Sequence, residues 1–329
     1  MGTIYDIAKL SGCSASTVSK VFRGYSEISD KTREKVLNAA NELGYKVKKS
    51  SSLKSKSNLI AIIYDDWKGF SHPFFSKVLD SARKTLEKYN YDLLFLRTTP
   101  SDNIKEICIE KNIDGILIIS TEPRFFNDYK KLFKQFPIVS LNEIFTDEYS
   151  VISNNAQGIH KAMEYLIRLG HKNIGLITGE QEQVPGKERF KEYRECLNEN
   201  GIRFSKNLVQ TCKFYNYEEG YSIMAKLLQK SKPTAVLVTG DYLCMGAIDY
   251  AIKAGYKVPE DISFVGFDDI EYAKLFKPAI TTIKQDKEAL GEQAVNLLMQ
   301  LINGKRPSKK RYLIDTELIL RESSTICKK

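Results

Sequence analysis

Near the N-terminus, short hydroxylated side chains and cations follow a glycine, in the stretch IYDIAKLSGCSASTVSKVFRG from Ile4 to Gly24. Two helix-like stretches flank Gly12, which permits a tight turn, and Ser14 can cap the second helix. Slim polar side chains at the start of an exposed helix fit the major groove of DNA, where they reach base edges. The pattern predicts a helix-turn-helix that binds double-stranded DNA.

Individual DNA contacts follow from the chemistry of each side chain. Ala15 suits a thymine methyl group, Ser16 suits either base type, and Lys20 suits the acceptor atoms of guanine. Phosphate binding is predicted for five residues: Ser14, Thr17, Arg23, Lys31 and Thr32. The predicted DNA contacts also include Tyr5 and Ser19. The alternative is a helical hairpin whose serines serve only as caps.

Positive charge is concentrated at the same end of the chain. The 329 residues carry a net charge of +9, of which residues 1–58 contribute +6, from 9 Lys and 2 Arg against 5 acidic residues. A basic arm on a nearly neutral body predicts a polyanionic partner for the arm alone. The charge by itself is also compatible with a solvated basic terminus.

The predicted elements that position these residues are three short helices and a linker. Thr3 and Asp6 form a capping pair for the first helix. Ser29 caps a third helix, which Gly44 ends. Residues 46–58 consist mainly of Lys and Ser, a composition typical of a flexible cationic linker.

From Leu59 onward, strand-like apolar runs such as LIAIIYD and TAVLVTG alternate with amphipathic helical stretches. Repeated βα units predict an α/β fold with parallel, doubly wound sheets. About ten units are too many for one ordinary sheet, so we expect two sheets that divide near residue 156. Ligands of such sheets bind beyond the carboxyl ends of the strands, which predicts a hinged cleft between two subdomains.

Several classes of function find no support in the sequence. The six cysteines show no metal-ligand spacing, so no metal site and no cofactor are expected. Without a signal segment or an apolar run near 18 residues, the chain is predicted to be cytoplasmic and not membrane-bound. No phosphate loop or hydrolase motif is present. A sugar- or nucleotide-using enzyme, or a sugar receptor without DNA function, remains as an alternative.

The motifs resemble a known family over the whole chain. The first stretch, ISDKTREKVLNAANELGY, EYLIRLGHKNIGLITG, PTAVLVTGDYLCMGAI and VPEDISFVGFDDIEYAKLFKPAITTIKQD are similar, in order, to the LacI/GalR transcription regulators. The resemblance implies a repressor, a homodimer bound to operator DNA and controlled by a small effector. It implies a headpiece at 1–46, a hinge linker at 47–58, a periplasmic-binding-protein-like core subdomain at 59–156 and 287–317, and a second at 157–286 and 318–329.

The hinge departs from the family pattern. Where relatives have an alanine- and arginine-containing hinge helix that places a leucine in the minor groove, this chain has Ser50, Ser51 and Ser52 before Leu53. Serine is a poorer helix former than alanine, so we expect a hinge that orders only on DNA. Leu53 is the predicted wedge residue, and the alternative is a linker residue that packs on the core.

The resemblance also implies effector-binding residues. Arg189, Tyr215 and Asp268 match family positions that bind the ligand, and Asp241 is retained where the preceding family Asn is Gly240. On the first subdomain the candidates in the loop YDDWKGFSHPFF are Trp67, His72 and Phe74. These polar and aromatic groups favour a sugar; a purine or a protein co-effector is the alternative. For Arg189 a surface ion pair with Glu188 or Glu192 is the competing interpretation.

Overall fold

The computed structural model of the chain describes residues 3–22, 28–45, 56–64, 72–97, 104–119, 132, 134–142, 144 and 148–328. They form two compact units, which divide between Ser55 and Lys56. The first unit is helical and the second contains two mainly parallel sheets, which confirms the predicted fold class. No helix within the described residues combines the length and the hydrophobicity needed to cross a membrane.

The first unit contains α1 (Ile4–Ser11), α2 (Ala15–Phe22) and α3 (Asp30–Glu42). The predicted capping pair is confirmed, because the Thr3 side chain accepts from the Asp6 amide and the Asp6 side chain accepts from the Thr3 amide. Gly12 ends α1 with a φ of 67°, a left-handed conformation that favours glycine. The small core shared by the three helices is built from Ile7, Val18, Val21, Val36, Ala39 and Ala40.

In chain order, the strands of the second unit are β1 (Leu59–Tyr64), β2 (Asp92–Arg97), β3 (Gly115–Ile119), β4 (Ile138–Leu141), β5 (Tyr149–Ser153), β6 (Ile174–Gly179), β7 (Val209–Cys212), β8 (Ala235–Val238), β9 (Ser263–Asp268), β10 (Thr281–Gln285), β11 (Arg311–Ile314) and β12 (Thr316–Ile319). Its helices are α4 (Pro73–Glu87), α5 (Ile104–Glu110), α6 (Asn155–Arg168), α7 (Val184–Glu199), α8 (Tyr217–Lys230), α9 (Asp241–Lys253), α10 (Glu271–Leu275) and α11 (Lys287–Ile302).

The first sheet has the strand order β2-β1-β3-β4-β5-β11, and all of its described pairings are parallel. Alternate residues of β1 face opposite layers: Ile60 and Ile62 pack with α4 and α11, while Ala61 and Ile63 pack with Cys108 of α5. Both faces of the sheet are therefore covered, which explains the nearly continuous apolar runs of its strands. This sheet and its helices are called the first lobe.

The second sheet repeats this arrangement in the order β7-β6-β8-β9-β10-β12, with β12 antiparallel to β10. Helices α6 and α7 pack on one face, and α8, α9 and α10 pack on the other. This sheet and its helices form the second lobe. In each lobe the first strand in sequence has the second strand on one side and the third on the other, so the direction of winding reverses between β1 and β3 and between β6 and β8. Ligands of open α/β sheets bind beyond the carboxyl ends of strands at such a point.

Within the described ranges, the chain passes between the lobes three times. It leaves β5 at Ser153 and enters α6 at Asn155, leaves β10 at Gln285 and enters α11 at Lys287, and passes from β11 to β12 across Asp315. At each of these points consecutive elements of the chain belong to different lobes. The two lobes are therefore linked by short segments, a geometry suited to hinge motion.

Candidate DNA-reading helix and effector cleft

The start of α2 carries an ordered set of hydroxyl groups. The Ser14 side-chain oxygen accepts a hydrogen bond from the Thr17 amide at 3.1 Å. It also lies 2.8 Å from the hydroxyls of Ser16 and Thr17. The cap therefore fixes three short polar side chains on the first turn of the helix. Such groups are small enough to let a helix approach base edges.

The predicted DNA-contacting residues lie at the surface of the first unit to different extents. Tyr5 is 77% exposed, and Ser14, Ser16, Lys20 and Lys31 are exposed as well. Three others are half-buried: Ala15, Thr17 and Ser19. Thr32 is half-buried at the start of α3, with its hydroxyl 2.9 Å from that of the capping Ser29. Arg23 and Leu53 lie outside the described residues.

Arg189 lies in the interior of the second lobe, where it is 5% exposed. Its Nε donates to Oδ1 of Asn155 at 2.9 Å and its Nη1 donates to the Thr239 carbonyl at 2.8 Å. The guanidinium carbon lies 3.8 Å from the centre of the Phe267 ring. The competing interpretation of Arg189 as a surface ion pair is therefore wrong. The planar fork and stacking surface of arginine suit this buried position.

Asp268 ends β9 at the carboxyl edge of the second sheet, with a φ of 112° that is costly for a residue other than glycine. Oδ1 accepts from Nε2 of Gln285 at 2.5 Å, and the Asp268 carbonyl accepts from Lys287. Burial raises the pKa of the carboxyl group, and the charges of Arg189 and His72 oppose that rise. A carboxyl group is therefore held in a buried, strained position within reach of the charges of Arg189 and Lys287.

The Tyr215 ring occupies space left by two glycines at the same edge. A β-carbon on Gly240 would lie 2.8 Å from Cδ1 of Tyr215, and one on Gly179 would meet the tyrosine hydroxyl. Both glycines stand at the ends of strands, Gly179 in β6 and Gly240 just after β8. The substitution of the family Asn by Gly240 therefore has a steric reason, because an amide side chain there would collide with the ring.

Asp241 makes hydrogen bonds that hold secondary-structure elements of the second lobe together. It is fully buried, and its carboxylate accepts from the Thr282 hydroxyl at 2.6 Å and from the Ile270 amide at 3.0 Å. Burial and the neighbouring Asp268 charge raise the pKa of its carboxyl group. Both carboxylate oxygens therefore accept hydrogen bonds, one from the segment that follows β9 and one from β10, and these bonds join α9 to both segments. Its predicted contact with an effector stays a prediction.

The first lobe contributes His72 and Phe74 near the start of α4. His72 caps this helix, its Nδ1 accepting from the Phe74 amide at 3.3 Å. Its imidazole, when protonated, counters the rise in the pKa of Asp268 in the other lobe. Phe74 is 3% exposed and packs in the core of the first lobe. Its neighbour Phe75 lies 5.4 Å from the His72 ring. Trp67 lies outside the described residues.

Comparison with known proteins decides the family. Residues 3–47 match the model of "bacterial regulatory proteins, lacI family", and residues 163–324 match a periplasmic binding protein-like domain. A repressor called PurR from Mannheimia succiniciproducens is 30% identical, and the regulator DegA from Bacillus subtilis is 31% identical, each with 98% of both chains covered.

The chain belongs to the lacI family of bacterial regulatory proteins. It is a DNA-binding transcription regulator, and its relatives are regulators and not enzymes. Members of this family bind operator DNA and small effectors and form dimers.

The solved structures of two regulators align with nearly the whole chain. The lac repressor dimer bound to operator and the anti-inducer ONPF is 26% identical, with a TM-score of 0.73, and the match covers 98% of this chain and 99% of that one. A CelR–cellobiose complex is 27% identical, with the same TM-score, and covers 98% and 100%.

Sequence reasoning missed the residues that hold Arg189 in this lacI-family core. Asn155, the Thr239 carbonyl and Phe267 come from three separate elements, and no local motif connects them. It also missed a group of His160, Glu192 and Cys196, because His160 lies on a different helix from the other two. A search for cysteine spacing alone does not find a site of mixed ligands.

Proposed function

We propose that this lacI-family regulator represses transcription as a homodimer on operator DNA and that a sugar in the cleft between its lobes controls DNA binding. The observation that carries the effector part is the pair of Arg189 and Asp268. Both side chains are buried, and the Arg189 charge acts on the Asp268 carboxyl group. A cationic donor next to an anionic acceptor matches the alternating acceptors and donors of vicinal hydroxyl groups.

The aromatic wall of the cleft supports the same class of ligand. The Tyr215 ring lies against Gly179 at the end of β6 and against Gly240 just after β8. An apolar ring face packs on the C–H face of a sugar. Two relatives have names that agree with a sugar. A ribose operon repressor from Haemophilus influenzae is 31% identical, and the CelR structure contains cellobiose.

A purine is the second candidate effector. The Asp268 carboxylate can also accept from a ring N–H group, and Tyr215 offers a stacking surface to a planar base as well as to a sugar. The two candidates differ in shape, because a purine needs a flat slot and a sugar needs donors and acceptors around its rim. A panel that contains both classes therefore separates them.

The DNA-binding part rests on the exposed serines and Lys20 at the face of α2. The remaining predicted contacts, including Leu53 as a minor-groove wedge and the phosphate contacts of Arg23, Lys31 and Thr32, belong to the same proposal. Repression follows if a dimer that occupies an operator excludes the transcription machinery from a promoter.

Selection of duplexes from a random pool by the full-length protein tests the first part. We expect enrichment of a pseudo-palindrome whose affinity falls steeply with salt, because phosphate contacts release counterions. An enriched site without twofold symmetry, or no enrichment at all, overturns the homodimeric repressor.

Thermal-shift measurements with ribose, glucose, cellobiose, adenine and hypoxanthine test the effector. A sugar is expected to raise the melting temperature and to change the affinity for the selected duplex. Asp268→Asn should abolish that shift, while Arg194→Lys, a change on the exposed side of α7, should retain it. A response to the purines alone overturns the sugar and leaves the DNA-binding proposal intact.

A further inference from the structure

A group of three potential metal ligands lies between α6 and α7 of the second lobe, about one helical turn along α7 from Arg189. His160 is on α6, and Glu192 and Cys196 lie one turn apart on the adjacent α7. Nδ1 of His160 is 3.0 Å from Oε1 of Glu192. Sγ of Cys196 is 3.6 Å from each of these two atoms. Three chemically different ligand atoms therefore form a small triangle.

The dimensions of this triangle match one face of a zinc tetrahedron. Bond lengths to zinc of about 2.3 Å for sulfur and about 2.0–2.2 Å for nitrogen and oxygen give edges of about 3.6 Å between sulfur and either lighter atom. The two measured sulfur distances equal that value. The expected nitrogen–oxygen edge is about 3.4 Å. The observed separation of 3.0 Å is that of a hydrogen bond between His160 and Glu192, which a bound metal ion would replace.

The three side chains differ in exposure, from the buried Cys196 to the half-exposed His160. Cys196 is 2% exposed, whereas the side chains of Glu192 and His160 are 16% and 51% exposed. The sulfur therefore forms the base of the site, and the imidazole can rotate from the solvent side to complete it.

The charges around Cys196 favour a cation over a free thiolate. Burial and the carboxylates of Glu192, Glu199 and Glu195 raise the pKa of Cys196 to about 12. A divalent ion that binds here compensates these carboxylates, and the sulfur–metal bond forms as the S–H proton leaves to solvent.

A cavity of about 430 Å³ borders the site, since Glu192 lies on its wall together with Glu188, Lys191, Glu195 and Arg311. Of the three proposed ligands only Glu192 lines this cavity, so the cavity meets the site at the carboxylate. Zinc sites with three protein ligands keep a fourth position open to water or another ligand.

We propose that His160, Glu192 and Cys196 form a Zn²⁺ site that joins α6 to α7 and leaves a fourth coordination position exchangeable. Thiolate, imidazole and carboxylate are all ligands of this ion, and the thiolate disfavours Mg²⁺ and Ca²⁺. The site lies one helical turn from Glu188, which bonds to Asn155 and to Arg311 of the first lobe. Metal binding therefore fixes the part of α7 that contacts the crossing between the lobes.

Titration of the chelator-treated full-length protein with Co²⁺ tests the site, because cobalt replaces zinc and reports its ligands by absorbance. Wild type is expected to bind one equivalent, with a thiolate-to-cobalt charge-transfer band and the intense visible bands of tetrahedral Co²⁺. Added Zn²⁺ should remove both signals. The absence of a charge-transfer band in wild type at excess Co²⁺ overturns the proposal.

Matched variants separate this site from the other thiols. Cys196→Ser should lose the charge-transfer band, and Cys327→Ser, which changes a partly exposed cysteine outside the group, should keep it. His160→Gln alters a mostly exposed side chain and should weaken Co²⁺ binding at least 10-fold while the chain stays folded. An unchanged band in Cys196→Ser or unchanged affinity in His160→Gln overturns the proposal.

Discussion

The ring of Tyr215 packs directly over Gly240, with Cδ1 2.8 Å from the position that a β-carbon there would occupy. The tyrosine follows β7 and the glycine follows β8, so the contact joins two loops at the carboxyl edge of the second sheet. Burial raises the pKa of Tyr215, so the phenol stays neutral at physiological pH. The absence of a side chain at Gly240 thus leaves room for the aromatic ring of Tyr215.

Gly240→Ala should destabilise the protein by about 1–3 kcal/mol, because the added methyl group overpacks against the ring. Urea denaturation measures this cost, and thermal shift measures the accompanying loss of effector affinity. In a Tyr215→Ala background the same substitution should cost almost nothing, since the clashing atoms are gone. An equal cost in both backgrounds would show that Gly240 is needed for a reason unrelated to Tyr215.

Arg189→Lys should lower the free energy of unfolding by about 2 kcal/mol. Lysine cannot reproduce the bonds to Asn155 and the Thr239 carbonyl while it covers the Phe267 ring. Urea denaturation of the purified variant gives the value.

Arg194→Lys is the matched control for that measurement, because Arg194 lies on the same helix but is exposed, with its guanidinium 5.2 Å from the Phe204 ring. It should stay within about 0.5 kcal/mol of wild type, as ordinary surface substitutions do. If both variants lost the same free energy of unfolding, the buried contacts of the Arg189 guanidinium would not explain the loss.

Local signals in the sequence determined the headpiece well. The capping pair of Thr3 and Asp6, the turn at Gly12 and the cap by Ser14 are all interactions within four residues, and the structure contains each of them. The βα alternation likewise predicted two sheets, because apolar periodicity is visible in any short window. The strands β5, β10, β11 and β12 were not predicted, and all four border a crossing between the lobes.

The candidate cleft could be predicted only in part. A resemblance supplied Arg189 and Asp268, but the partners that hold Arg189 are 34 and 50 residues away in sequence. The environment of Asp241 depends on Thr282, which is 41 residues distant. Such contacts arise from the packing of separate elements, and no pattern within one element contains them.

The unfolding free energy should fall in acid because of His171. This side chain is 3% exposed, between the Thr234 hydroxyl and the Thr325 carbonyl at 3.0 Å each. Burial lowers its pKa from 6.5, so the unfolded chain binds more protons than the folded one below that pH. Its contribution is complete above pH 6.5 and is lost as pH falls toward the lowered pKa.

Urea midpoints from pH 8 to pH 5 measure this dependence. His171→Gln, which has no titrating group, should flatten the profile between pH 6.5 and the lowered pKa. If His171→Gln showed the same slope as wild type, other groups would account for the acid sensitivity.

Two lysines of the headpiece should affect DNA binding differently. Lys20, exposed on α2, is predicted to contact a base. Lys20→Ala should therefore weaken the free energy of DNA binding by about 1–3 kcal/mol and relax the sequence preference at one base pair in each half-site.

Lys31, exposed at the start of α3, is predicted to contact a phosphate. Lys31→Ala should therefore weaken binding to all duplexes alike and reduce the salt slope by about 1. Competition binding against duplexes altered at each position separates these outcomes, and uniform weakening by Lys20→Ala would reassign that residue to the backbone.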